Sequence, residues 1–118
     1  MRGTGREALV QRIAAVAGRL RRDELIRMVL RSAPELAMVY ISDRLGTSQQ
    51  ILIDVLAEEI RKAQANSSIR RADPRQLAAM VLLIAQSAIQ SGQIVEPILN
   101  SDALGVELAH TLNGYLCP

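Results

Sequence analysis

The chain has 118 residues, enough for one domain and too few for two independent cores. Apolar residues make up 49% and charged residues 22%, which predicts a folded rather than a disordered chain. With two Tyr, no Phe and no Trp, the sequence argues against stacking platforms for single-stranded bases and against a sheet protein. The 14 basic and 12 acidic residues leave a net charge of +2, which does not indicate a nucleic-acid-binding surface.

Cys117 and His110 are the only residues of their types. A disulfide within the chain and metal sites built from several Cys or His ligands are therefore excluded. The longest apolar run covers residues 77–85, well short of the roughly 20 residues that a membrane span needs. The N-terminus has no signal-peptide pattern. We expect a protein of the reducing cytoplasm, without cofactor, metal or membrane partner.

Helix-start signals recur along the chain, and they predict a single all-α domain of six helices over residues 1–118. Capping boxes occur at Thr4-x-x-Glu7, Ser32-x-x-Glu35 and Thr47-x-x-Gln50. Asp73 precedes a proline at a first helical position, and Ser101 and Asp102 begin the last helix in the same manner. The predicted helices are 5–20, 24–31, 34–45, 48–65, 74–91 and 102–115.

The first and fourth predicted helices each carry one apolar stripe, as surface helices do. The fifth is apolar around roughly 200° of its circumference, whereas a helix on one core needs a stripe of about 100°. The sixth adds a line of apolar residues. We therefore predict a twofold dimer in which the last two helices of each chain form a four-helix bundle. The predicted interface residues are Leu82, Ala85, Ile89, Leu104, Leu108, Thr111, Leu112 and Tyr115. Alternatively, the fifth helix is a central helix covered by its own chain.

The order of elements resembles a known family. Pro34-Glu35-Leu36, a long amphipathic helix, and then Arg71-Ala72-Asp73-Pro74-Arg75-Gln76-Leu77-Ala78-Ala79 opening a very apolar helix resemble the C-terminal domain of tetracycline-repressor-type (TetR-type) transcriptional regulators. The similarity covers about Arg6 to Leu116. The resemblance implies a helical cage for a small-molecule effector and dimerisation through the last two long helices.

The sequence departs from this family at its start. TetR-type regulators carry an N-terminal helix-turn-helix of about fifty residues that reads the major groove. The first 20 residues here form one helix, which would correspond to the linker between the two domains. We therefore expect the helix-turn-helix to be absent and DNA to be bound only through such a missing domain. The alternative is a stand-alone helical interaction module without a ligand.

A ligand pocket is predicted from flexible apolar side chains and a few polar groups. Its candidate residues are Val16, Met28, Met38, Tyr40, Leu56, Glu59, Ile84 and Gln86. Glu59 lies at the edge of an apolar stripe, where it could orient a ligand or pair with an Arg at the rim. These features favour an apolar or amphipathic effector.

Catalysis is not expected. One His and one Cys near the chain end do not supply a nucleophile, a base and an orienting group. Glu107-x-x-His110 has the spacing used in di-iron bundles, but the further inward Glu residues are missing. The basic stretch from Arg19 to Arg31 could contact phosphates, although it also suits solubility and helix C-terminal charge. A metal-dependent bundle enzyme is the weakest alternative.

Overall fold

The computed structural model describes the backbone of residues 4–118 and the side chains of residues 5–20, 23–25, 28, 31–33, 35 and 50–118. Over these residues the chain forms five α-helices and no strand. The helices are α1 (Thr4–Arg22), α2 (Glu24–Ser32), α3 (Pro34–Ala65), α4 (Pro74–Ser91) and α5 (Ser101–Leu116). The prediction of an all-α fold is confirmed.

The predicted third and fourth helices are one helix, so the prediction of six helices is wrong. α3 continues through residues 46–48, where the box at Thr47 predicts a new start. No proline lies between residues 35 and 73, and one interior glycine costs a helix only about 1 kcal/mol. A capping box marks a start only where its first residue leaves the helical conformation. Here Thr47 stays helical.

The predicted cap of α4 is confirmed. The Asp73 carboxylate accepts hydrogen bonds from the backbone amides of Arg75 (2.8 Å) and Gln76 (3.3 Å). Pro74 occupies the first turn, where its missing N–H leaves no unsatisfied donor. Sequence reasoning therefore places the start of this helix correctly.

Two other predicted caps are shifted by one residue. Ser32 ends α2, and the N-cap of α3 is Ala33, which makes no side-chain bond. The residue before a proline is disfavoured in the helical region, and this places the break at Ala33. α5 is capped by Asn100, whose side chain accepts from the amide of Ala103 at 2.9 Å. The side chain of Thr4, another predicted cap, lies outside the described residues.

The hydrophobic core lies where α1, α3, α4 and α5 meet. α1 packs on α5 and α4, and α3 packs on α4. The loop between α3 and α4 adds the buried apolar side chain of Ile69. The buried apolar residues are Leu9, Val10, Ala17, Ala57, Ile60, Ala63, Ile69, Leu77, Ala78, Val81, Ala85, Leu108, Leu112 and Leu116.

The chain is flat and has a large surface for its mass. It extends 45 × 32 × 17 Å, and the shortest dimension accommodates two layers of helices packed 8–10 Å apart. The accessible surface is 7678 Å². A compact monomer of 12.9 kDa exposes only about 6,300 Å². The chain as a whole therefore exposes about 1,400 Å² more than a compact monomer of the same mass.

Candidate functional site

An open cleft lies along α2. It has a volume of about 580 Å³ and is lined by Glu24, Leu25, Met28 and Arg31. Its lining combines two charged residues with two apolar ones, Leu25 and Met28, which are 65% and 55% exposed. Glu24 and Arg31 lie at opposite ends of α2, where each charge also suits the helix dipole. The volume falls within the usual range for small-ligand sites, about 300–1,000 Å³.

The apolar stripe of α1 runs out of the core toward α2. Leu9 is buried and Ile13 packs against the core, whereas Val16 and Leu20, the next positions on the same face, are 55% and 38% exposed. On α3, Leu52 is likewise 43% exposed, one turn before the half-buried Leu56. The described part of this end of the molecule therefore presents apolar side chains that its own chain does not cover.

The predicted ligand-binding residues are only partly brought together. Val16 and Met28 are exposed on α1 and α2, while Leu56 and Ile84 pack against the core from α3 and α4. Gln86 is half-buried on α4. Met38 and Tyr40 lie outside the described side chains. The proposed set thus spans both the cleft end of the molecule and the edge of the core.

Glu59 is held by two cations. Its carboxylate lies 3.6 Å from Arg12 Nη2 on α1 and 3.6 Å from Lys62 Nζ one turn along α3. Of the two predicted roles of Glu59, the structure therefore contains the second, a pair with an Arg at the rim. All three side chains are exposed by a third or more, so the pairs contribute little to stability.

The adjacent face of α3 carries a second ion pair. Arg61 Nε donates to Glu58 Oε2 at 3.1 Å, and Arg61 Nη2 also bonds this carboxylate. The hydrogen bond from Arg61 lowers the pKa of Glu58 below its ordinary value of 4.5. The same bond raises the pKa of the Arg61 guanidinium. A further pair, between Arg75 and Asp54, joins the start of α4 to α3.

The predicted dimer residues divide into two groups. Ala85, Leu108 and Leu112 are buried in the core of their own chain and cannot offer exposed area to a partner. The remaining five are half-buried or exposed: Leu82, Ile89, Leu104, Thr111 and Tyr115. The stripe predicted along the last helix therefore turns mainly toward its own chain.

Other apolar side chains on the last two helices are exposed. On α4, Met80 and Leu83 are 43% and 56% exposed, opposite the buried Leu77, Ala78 and Val81. Val106 on α5 is 66% exposed. Ile94 and Ile98, in the turns between these helices, are 80% and 92% exposed. The wide apolar arc of the predicted fifth helix thus corresponds to one buried face and one exposed face of α4.

A polar junction connects the start of α1, the loop after α3 and the end of α5, and the sequence reasoning missed it. We call it the junction and define it by Arg6, Ser68, Arg70, Asn113 and Tyr115. Ser68 is only 2% exposed, and its hydroxyl donates to the Ala63 carbonyl (3.2 Å). The signal that could have revealed it is the polar run 66–68 directly after a helix, which offers several short side chains for backbone bonds.

The described side chains offer no site for metal binding or nucleophilic catalysis. No three His, Cys, Asp or Glu residues in that part of the chain come together as possible metal ligands. His110 and Cys117 are both exposed on or beside α5. In residues 4–118, none of the helices combines the length and hydropathy that a membrane crossing requires.

The chain is similar to three curated proteins, each named an uncharacterized HTH-type transcriptional regulator. Two come from strains of Mycobacterium tuberculosis and one from Mycobacterium bovis. Each is 61% identical over 115 residues, which cover 98% of this chain and 60% of the relative. No family model matches the chain, and no solved structure matches it significantly. The chain is therefore homologous to HTH-type transcriptional regulators over 60% of their length, which supports a role in transcriptional regulation.

Proposed function

We propose that this chain is the effector-binding and homodimerisation domain of a TetR-type transcriptional regulator, and that it works in the bacterial cytoplasm. The observation that carries the proposal is the 61% identity to proteins named as HTH-type regulators. The chain spans 60% of their length. The helix-turn-helix in their name is assigned to the part outside the match, and DNA is contacted through it.

Dimerisation is supported by the surface of the chain. Exposed apolar side chains on α4 and α5, among them Met80, Leu83 and Val106, supply the contact. The two helices from each chain would pack as a four-helix bundle. Leu108 and Leu112 support this surface from beneath, in the core of their own chain.

Effector binding is assigned to the end of the molecule beside α2. Leu25 and Met28 form the apolar part of the cleft's lining, and Val16, Leu20 and Leu52 are further exposed apolar side chains on α1 and α3. Covering this surface with an apolar or amphipathic small molecule removes it from water at about 25 cal/mol per Å². Met38 and Tyr40 remain candidate contacts.

Regulation follows from a difference in affinity. An effector that binds one arrangement of the helices more tightly than another increases the population of the first arrangement. The size of this shift is limited by the difference between the two binding affinities. In a dimer, this shift changes the separation of the two DNA-reading segments, which must match half-sites about 34–36 Å apart. Repression is relieved when the separation of the DNA-reading segments in the effector-bound dimer no longer matches the spacing of the half-sites.

One observation favours a second candidate function, a stand-alone helical interaction module without a ligand. Val10, Ile60 and Val81 are fully buried where α1, α3 and α4 meet. The described cleft lies against α2 and not between those helices. Among the described residues, the centre is filled and apolar side chains lie outside it, which is the arrangement expected of a module that binds another protein.

A chimaera tests the regulator proposal. The 115 matching residues of the M. bovis relative are replaced by those of this chain, and DNA fragments are selected with the unaltered relative. Amphipathic compounds that raise the melting temperature of this chain are then added to the chimaera on the selected DNA. We expect the chimaera to bind that DNA as a dimer and at least one such compound to change its affinity. Unchanged DNA affinity with every stabilising compound would refute effector control and favour the interaction module.

A further inference from the structure

The junction joins three helix ends that are far apart in the sequence, and we propose that it is a rigid clamp. The clamp fixes the first turn of α1 to the last turns of α5, so that the two helices move as one body. The functional meaning rests on the proposed function, because a shift of α5 at the dimer interface would then be passed to α1 and to the DNA-reading segment joined to it.

Arg6 supplies the connections from α1. Its backbone amide, one of the donors that a helix start leaves unsatisfied, donates to Ser68 Oγ at 3.2 Å. Its side chain donates from Nη1 to the Ser68 carbonyl (3.1 Å) and from Nε to Asn113 Oδ1 on α5 (3.3 Å). One residue of α1 therefore holds both the loop and α5, through hydrogen bonds of which two involve a cation and are the stronger kind.

The loop is fixed to the end of α3 by backbone bonds. The amides of Ser67 and Ser68 donate to the carbonyls of Gln64 (3.0 Å) and Ala63 (2.9 Å). Ser67 has a φ of 67°, so the helix ends in a Schellman motif with serine in the left-handed position. Gln64 Nε2 also donates to the carbonyls of Arg70 (3.0 Å) and Ala72 (2.9 Å). The loop is thus a bonded support for its neighbours.

The same loop is bonded to the end of α5. The Arg70 amide donates to the Leu116 carbonyl at 2.9 Å, and Arg70 Nε donates to the Tyr115 carbonyl at 2.9 Å. The Arg70 guanidinium also lies 4.8 Å from the centre of the Tyr115 ring, within the range of a cation–π contact. These bonds satisfy carbonyls that the end of a helix leaves without partners. The clamp therefore closes through two routes, one direct and one through the loop.

Among the described side chains, a further polar contact of α1 with its neighbours is weaker. Farther along the helix, Arg12 reaches Glu59 at 3.6 Å between exposed side chains. Val16 and Leu20 beyond it are exposed. Among the described residues, α1 is held by polar contacts mainly at its first turn. Loosening the junction should therefore widen the range of positions of the first turn of α1, while Leu9, Val10 and Ala17 keep the later turns packed in the core, and loss of the Arg12 pair should not have this effect.

Spin labels within one chain test the clamp. Cys117 is changed to Ser, and the exposed residues Glu7 on α1 and Asp102 on α5 are changed to Cys and labelled. Labelled chains are diluted with unlabelled ones, so that distances within one chain dominate the pulsed dipolar signal. We expect a single narrow distance peak, and loss of that narrow peak in the Arg6→Ala, Ser68→Ala double variant, which removes the bonds of Arg6 to Ser68 and to Asn113.

Arg12→Gln is the matched control, since it removes a contact of the same helix outside the junction. The clamp is refuted if the double variant keeps the narrow peak, or if Arg12→Gln broadens it equally. Should the double variant lose its helical circular dichroism, Arg6→Ala alone carries the same expectation, because it removes the side-chain bonds to both the loop and α5 and leaves the buried Ser68 unchanged. The measurement does not require a dimer, so a monomeric chain would refute the proposed assembly and leave the clamp tested independently.

Discussion

The same substitution, glycine to alanine, should have opposite effects at two helical positions. A Cβ on Gly5 would lie 3.0 Å from Ser68 Oγ and 3.3 Å from Ala63 Cβ. Ser68 cannot turn away without weakening its bonds to the Arg6 amide and the Ala63 carbonyl. Each such bond is worth about 0.5–1.5 kcal/mol net. Gly5 lies in the first turn, so its gain in helix propensity is small.

Gly105 is the matched position, because a Cβ there meets nothing within 4 Å. It lies inside α5, where alanine is favoured over glycine by roughly 0.5–1 kcal/mol. We expect Gly5→Ala to lower the free energy of unfolding by about 1 kcal/mol and Gly105→Ala to raise it by about 0.5–1 kcal/mol. For a chain of this size, 1 kcal/mol corresponds to roughly 3–6 °C in Tm.

Urea unfolding followed by circular dichroism measures both variants, at one protein concentration because dimerisation would make stability depend on concentration. The close packing of the junction would be refuted if Gly5→Ala stabilised the chain as much as Gly105→Ala. A change in the slope of the unfolding curve would instead point to an altered unfolded state.

Three further predictions concern other parts of the chain. Ser67→Gly should stabilise it by about 1 kcal/mol in the same assay, because glycine adopts the left-handed conformation without the cost that serine bears; an unchanged midpoint would contradict the Schellman ending of α3. Arg61→Gln should move the pKa of Glu58, measured by NMR titration of its carboxyl carbon, back up toward 4.5. Since the pKa of Glu58 is lowered in the folded chain, its contribution to stability is present above the unfolded pKa and is lost as the pH falls through the folded value; the same titration midpoint in both proteins would exclude this cause. Leu83→Glu should shift the sedimentation coefficient toward that of the monomer, because it places a charge in the proposed interface. Ile51→Glu, at a similarly exposed apolar position on α3, should leave the sedimentation coefficient unchanged, and equal behaviour of the two variants would argue against α4 as the interface.

Local signals in the sequence predict most of the fold. The Asp73–Pro74 start is encoded within four residues and is found unchanged in the structure. The capping box at Thr47 wrongly predicts a helix start, because the same residue types also occur inside helices. The sequence alone does not distinguish a cap from an interior position there. The helix count depends on that single ambiguity.

The candidate site is predicted less well, because it depends on contacts between distant parts of the chain. Helical spacing places Leu108 and Leu112 on one stripe, but it cannot say whether that stripe meets the same chain or a second copy. The junction depends on Arg6 meeting Asn113, more than a hundred residues away. Nothing local in either segment predicts that pairing.

The mass of the chain in solution tests the central claim most directly. Light scattering during size-exclusion chromatography, over a range of micromolar concentrations in mild buffer, should return twice the 12.9 kDa of one chain. A mass of 12.9 kDa at every concentration would contradict the twofold assembly through α4 and α5, and would leave the exposed apolar side chains of these helices without their proposed partner.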